Sequence, residues 1–218
     1  MELLIVTLAY TLPGRDADVL VRIRLISDAV RNAPGLVSSR FYRSRGNESY
    51  YLMLTTWEDE ESWHNAHERH NPKQLLLTHA AEVLTMPPQQ WLMSYLWGYY
   101  HPIAAPVVAA AHLATIRAQQ ADFAQQGCLK GLRLQTLQPS LAFAFLSRGI
   151  HEEHTQQADG STPEIVPEII QGGSVFLNLF SWINEEEREN FYADPHYRSI
   201  NTFLGNLGTL HVLPLEPL

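Results

Sequence analysis

The feature that most narrows the fold is a pattern written twice. The segment "SYYLMLTTW", ending at Trp57, is followed by the acidic run "EDEES"; "SVFLNLFSW", ending at Trp182, is followed by "INEEER". Each pairs an apolar, β-rich stretch with carboxylates suited to the first turn of a helix. Around the first copy, Leu3–Thr11 (LLIVTLAYT) predicts a strand, broken at "LPGRD". Asp16 or Asp18 is then placed to cap a helix in which Val19, Ile23, Ile26 and Val30 share a face, ended by Pro34-Gly35. "LVSSRFYRS" and "ESYYLMLTTW" flank an "RGN" turn as a hairpin, Pro72 opens a helical continuation through about Leu84, and "QWLMSYLWGYY" returns as a fourth strand. The order is βαββαβ, the ferredoxin-like unit.

The second half repeats that order. "VVAAAHLATI" (107–116) is strand-like, "QQADFAQQGCLKGLRLQTLQ" predicts a helix weakened by Gly127 and Gly131, and "SLAFAFLSRG" echoes "LVSSRFYRSRG". "GTLHVLPL" supplies the last strand. The spacing between copies is 105 residues at Pro34 and Pro139 but 125 at Trp57 and Trp182. An acidic insertion at about 150–173, containing Pro and Gly, accounts for the difference and reads as a loop or a lid. The boundaries expected are 1–102 and 103–218. The fold class is α+β: two tandem ferredoxin-like domains, each with one uncovered sheet face. Burying those faces against each other gives a barrel inside one chain, an internal pseudo-dimer for which a further homodimer is optional.

Charge and composition exclude several functions. A formal charge of −8 leaves no basic stripe for nucleic acid. No apolar run reaches the ~18 residues of a membrane span, and the first residues alternate like a strand and lack the basic start of a secretory leader. A single cysteine, Cys128, forbids an internal disulfide and fits the reducing cytoplasm.

The residue that needs explaining is Asn178. An amide inside a buried strand must find partners or cost roughly 1–3 kcal/mol. Residues 176, 178, 180 and 182 alternate onto one strand face, so Phe176, Asn178, Phe180 and Trp182 form a single aromatic surface with one polar group. That surface is either packed core or the wall of a pocket. In the first half the same positions are Tyr51, Met53, Thr55 and Trp57, so Met53 stands for the Asn and the second half is the better place for a site.

The hairpin, the strand ending in Trp, the acidic helix start and "FYADPHYRSI" together resemble the antibiotic-biosynthesis-monooxygenase family, whose fold is the dimeric α/β barrel. "NLFSW" and "NFYADP" are similar to a segment of its cofactor-free quinol monooxygenases. The resemblance implies oxidation of a bulky aromatic phenol by O2 with no cofactor and no metal. The deprotonated substrate supplies the electron, and the protein excludes water and holds the phenolate. It further implies that Asn178 and Trp182 line the cavity as hydrogen-bond donors, with Phe176 and Phe180 as aromatic walls. The aromatic hydroxyl of those enzymes falls near Arg188 and their arginine in the neighbourhood of Arg198, so Tyr192 and His196 are candidates to replace those roles. His196 is the expected general base, since an unperturbed imidazole titrates near 6.5. The rival reading is a non-catalytic barrel that binds a small apolar molecule or serves as a scaffold.

Other polar clusters carry less. His64, His67 and His70 lie at i, i+3 and i+6 without a carboxylate ligand or an HExxH pattern, which reads as a solvated helix face. Haem-degrading relatives place a Trp near Ala66, against a haem site here. "HEEH" (151–154) lacks a second cluster, and Cys128 has no sequence partner that would make it a nucleophile.

Overall fold

A computed structural model describes residues 2–101, 106–137, 141–156, 164–169 and 173–218. Two compact units emerge, one of residues 1–94 with 150–169 and Leu218, the other of residues 95–149 with 170–217. Pro139 lies outside the described residues.

In the first unit the chain runs β1 (Leu3–Tyr10), α1 (Asp16–Arg31), β2 (Leu36–Ser44), β3 (Tyr50–Trp57), α2 (Glu60–His70), α3 (Pro72–Ala80) and β4, which starts at Gln89 and extends to Tyr100. β1 lies between β3 and β4, and β2 pairs with β3, all antiparallel. Val19, Ile23, Ile26 and Val30 of α1, with Leu76 and Ala80 of α3, pack on Ala9, Tyr51 and Met53 of the sheet. The 3.6-residue apolar spacing thus meets the odd-numbered strand positions. Neither Asp16 nor Asp18 caps α1. Arg15 holds that position with no side-chain cap, and Asp16, one residue inside the helix, instead accepts from Ser49 Oγ at 3.0 Å and Tyr51 OH at 2.8 Å. Gly35 ends the α1 turn at φ +79°, where a Cβ would stand 2.5 Å from the Ser62 side chain.

The second unit contains β5 (Val108–Arg117), α4 (Ala121–Gln135), β6 (Leu141–Gln156), β8 (Gly173–Trp182), α5 (Glu185–Ala193), α6 (Pro195–Leu207) and β9 (Gly208–Pro217). β5 pairs with β8 and β9, and β6 with β8, again antiparallel. Cap chemistry repeats between the units: Asp59 and Asn184 cap α2 and α5, while Asn71 and Asp194 cap the Pro-initiated α3 and α6. Gly127 and Gly131 do more than weaken α4. A Cβ at Gly127 would lie 2.4 Å from the Phe203 ring, and one at Gly131 would lie 2.0 Å from Ile200 Cδ1. The two glycines, one turn apart, let α6 approach α4 closely.

The insertion differs from the loop read in the sequence. β6 continues to Gln156, and β7 (Glu164–Ile169) pairs with it from His151↔Ile169 to Gln156↔Glu164. Polar composition and Pro167 hid this hairpin. β7 is the last strand of its order, and an edge strand tolerates proline because one side of its backbone needs no ladder partner.

Candidate functional site

The site is built from β8 upward. From Val175 to Trp182 every residue of the strand is buried, and Phe176, Phe180 and Trp182 join the core formed with Cys128, Leu132, Phe191, Tyr197 and Leu204 of the three helices. Asn178 lies on that helix-facing side by strand alternation, only 5% exposed. Its Oδ1 accepts no hydrogen bond among the described residues, and the indole Nε1 of the fully buried Trp182 donates none. One unsatisfied acceptor and one unsatisfied donor therefore stand on one strand face. Each such group costs roughly 1–3 kcal/mol of desolvation if left alone.

Aromatic rings surround them. Trp182 stacks on Phe180 at 6.0 Å and meets Phe191 and Tyr192 edge-on at 5.1 and 5.7 Å. Tyr192 stacks on Tyr197 at 4.8 Å with 20° between the planes. Arg188 lies 5.8 Å over the Tyr192 ring and is held by Glu185 at 2.7 Å.

Asn178 stands directly opposite His112 of β5, so both side chains leave the same sheet face. His112 is 2% exposed, and its Nε2 lies 3.2 Å from Tyr197 OH. Burial pushes the imidazole down to about 3, leaving it neutral near pH 7, and pushes the Tyr197 hydroxyl up despite its contacts with Asn201 and Tyr192. Burial likewise raises the Cys128 thiol to about 12, the behaviour of an inert core cysteine.

Of the residues singled out in the sequence, Phe176, Asn178, Phe180, Trp182 and Tyr192 come together here. His196 and Arg198 do not. Both are exposed on α6, where His196 contributes its backbone N–H to Asp194 and Arg198 Nε donates to the Tyr192 carbonyl at 3.3 Å. The residue between them, Tyr197, is the one that turns inward, on the same helix face as Leu204 and Leu207. His112 and Tyr197 are the two site residues the sequence reading passed over. Each had a signal: a lone imidazole in "AAAHLA", and an aromatic on the apolar stripe of "PHYRSINTFLGNL".

The matching positions of the first unit are tied off. Trp57 Nε1 donates to Thr55 Oγ1 at 3.0 Å, whereas Phe180 offers Trp182 no such acceptor. Met53 replaces the amide, and Thr7, opposite Met53 as His112 is opposite Asn178, donates to Gln90 Oε1 at 2.7 Å. Trp63 Nε1 and Trp91 Nε1 find no partner among the described residues, and the Trp63 ring is set edge-on to His67 at 5.2 Å. The three histidines of α2 diverge: His64 faces Glu60, His67 faces Trp63 and Asn71, and His70 Nδ1 lies 2.9 Å from the Ala29 carbonyl. Among the described residues no three His, Cys, Asp or Glu converge as a metal site. The side chains of 151–154 are outside the description.

Residues 3–74 match the family model described as antibiotic biosynthesis monooxygenase, ABM. This stretch is an ABM domain. No curated protein sequence matches the chain. Solved structures resemble it along its whole length. An anthrone oxidase-like protein has a TM-score of 0.73 at 12% identity, covering 100% of this chain and 91% of its own. A candidate monooxygenase from Fusobacterium nucleatum subsp. nucleatum gives 0.70 at 7%, with 100% and 92% covered. A ferredoxin-fold protein related to antibiotic biosynthesis monooxygenases, from Listeria monocytogenes 4b F2365, gives 0.55 at 8%, with 100% and 96% covered. At these identities the likeness is one of fold, and with the ABM match it makes the architecture ferredoxin-like α+β. Among the described residues no helix is long and apolar enough to cross a membrane.

Proposed function

We propose that the second unit houses a cofactor-independent monooxygenase site for a bulky aromatic phenol or quinol, set between β8 and helices α5 and α6. The observation that carries this reading is the pair of unsatisfied groups, Asn178 Oδ1 and Trp182 Nε1, on a face whose counterpart in the ABM domain is satisfied by Thr55 and Met53. A hydroxylated ring brings a donor for the amide oxygen and an oxygen acceptor for the indole N–H, and Phe176, Phe180 and Tyr192 stack on its faces. The apolar surround excludes water, so a phenolate formed there feels few but strong donors. Arg188 over Tyr192 is paired with Glu185, so it places a guanidinium face there without net charge. We further read the chain as an internal duplication whose two sheets close into one intramolecular α/β barrel. Its partner is a small aromatic molecule rather than nucleic acid or membrane, its location is the cytoplasm, and assembly into a homodimer is optional.

Anthrone is the probe, because the anthrone oxidase-like protein shares this fold. One atom of O2 becomes the new carbonyl oxygen of anthraquinone and the other leaves as water, so no external reductant is needed. Purified protein should accelerate this oxidation over buffer. Asn178→Ala and Trp182→Phe should each reduce kcat by about 10²-fold or more with the fold kept. Wild-type rates equal to the buffer rate would overturn the enzymatic reading and leave a ligand-binding barrel.

A further inference from the structure

A phenol must lose its proton before it gives up an electron, yet His196, the base expected from the sequence, is exposed on the outer side of α6. The acceptor has to sit within hydrogen-bond reach inside the buried face. His112 and Tyr197 meet that condition. They are buried, 3.2 Å apart, and flanked by Asn178 across the strand pair and by Tyr192, whose ring touches both Tyr197 and Trp182. Tyr197 thus stands between the imidazole it bonds and the Tyr192 ring that packs on Trp182.

We infer that Tyr197 and His112 act in series as the base of this site: the ligand hydroxyl passes its proton to the Tyr197 oxygen while Tyr197 passes its own to His112 Nε2. One O–H bond breaks on the ligand and one forms on Tyr197; the original Tyr197 O–H breaks and an N–H forms on the imidazole. Tyr197 ends neutral, the ligand ends as phenolate and His112 as imidazolium, so charge and atoms balance without a co-reactant. The inference rests on the reading that a phenolic ligand binds beside Asn178.

Burial leaves the resting imidazole and Tyr197 neutral but also weakens the imidazole as a base, so the proton can rest on His112 only while the phenolate it leaves behind stays close by. A phenolate formed nearby supplies the opposite charge that makes the imidazolium tolerable. The other titratable groups around the pair are Tyr192 and the Arg188–Glu185 pair on α5, Cys128 on α4, and the exposed His211 on β9 beside Val212, the residue paired with His112. Tyr192 and Asn201 also hydrogen-bond the Tyr197 hydroxyl, and its contact with His112 Nε2 is 3.2 Å.

The test uses 1,8-dihydroxyanthraquinone, a dye whose phenolate absorbs at longer wavelength than its neutral form, together with anthrone turnover. Wild-type protein should bind the dye as phenolate at a pH where free dye is neutral. Tyr197→Phe, which removes one oxygen, and His112→Gln should bind it with similar affinity but leave it neutral; Tyr197→Phe also strands His112 Nε2 without this partner, so its melting temperature should drop by a few degrees. Anthrone turnover by Tyr197→Phe should fall about 100-fold near neutral pH and recover at alkaline pH, where anthrone ionises unaided. A merely structural Tyr197 would lower the melting temperature yet leave the bound dye as phenolate, with no alkaline recovery of turnover. Bound phenolate persisting in both variants overturns the relay. Phenolate formation without anthrone oxidation upholds the relay and removes the oxygenase reading, and a wild-type protein that neither binds the dye nor accelerates anthrone oxidation overturns both.

Discussion

Replacing Asn178 by leucine separates a tuned site from a packed core. The side chain is 5% exposed, its Oδ1 has no partner among the described residues, and its neighbours on the strand face are Phe176 and Phe180. An unsatisfied buried acceptor costs roughly 1–3 kcal/mol, and an apolar replacement of similar size removes that cost. Part of the gain is lost because leucine's branched end differs in shape from the planar amide, a mismatch worth up to ~1.5 kcal/mol. The net expectation is stabilisation by about 1 kcal/mol, an upward shift in Tm of about 2–4 °C for a chain of this size. Anthrone oxidation should disappear in the same variant, the usual exchange of stability for a lost functional group. Differential scanning calorimetry and the oxidation assay read the two effects independently. If Asn178→Leu instead lowers stability by a kcal/mol or more and leaves activity intact, the amide is structural and the reasoning fails. Met53→Leu, at the same position of the ABM domain, is the control and should change stability by less than ~1.5 kcal/mol in either direction.

Three further outcomes follow from the geometry. Phe180→Thr should recreate the Trp57–Thr55 hydrogen bond at Trp182 and, by occupying the indole N–H, weaken binding of the dihydroxyanthraquinone dye by about tenfold, read by titration. Gly127→Ala should destabilise by about 1–2 kcal/mol despite the better helix propensity of alanine, because its Cβ meets the Phe203 ring at 2.4 Å; Gly205→Ala, with nothing within 4 Å, should stabilise α6 by up to ~1 kcal/mol in urea unfolding. His112 titrates at about 3 when folded and near 6.5 when unfolded, so the unfolded chain binds the extra proton between these values. Stability should therefore fall with decreasing pH across that window, by up to about 1.4 kcal/mol per pH unit from this one group, and His112→Gln should flatten the slope.

The β-strand and helix pattern was legible because its signals are local. Strand alternation, the apolar spacing of α1, and the acidic starts "EDEES" and "INEEER" all lie within a few positions of one another. The β6–β7 hairpin was not legible. Its pairing joins partners 8 to 18 residues apart, and its polar composition with Pro167 resembles a loop at every local window. Gly127 and Gly131 show the same limit, since propensity counts them as defects and only Phe203 and Ile200 on a distant helix turn them into a packing surface.

The site divides along the same line. Asn178 could be found because a polar residue in an apolar strand is anomalous in one dimension, and His112 carried an equal anomaly. What could not be read was that the two strands place them opposite each other, a fact of register. Among His196, Tyr197 and Arg198 it is helix rotation that decides, fixed by Leu204 and Leu207 seeking the sheet, which carries Tyr197 inward on the same apolar stripe and leaves both neighbours in solvent. Phe180 stands where the first unit has Thr55, so it offers the indole N–H no acceptor, and Asn178 stands where it has Met53, its Oδ1 without a partner among the described residues. Two buried groups without partners on one strand face cost roughly 1–3 kcal/mol each, the cost that the proposed ligand would offset.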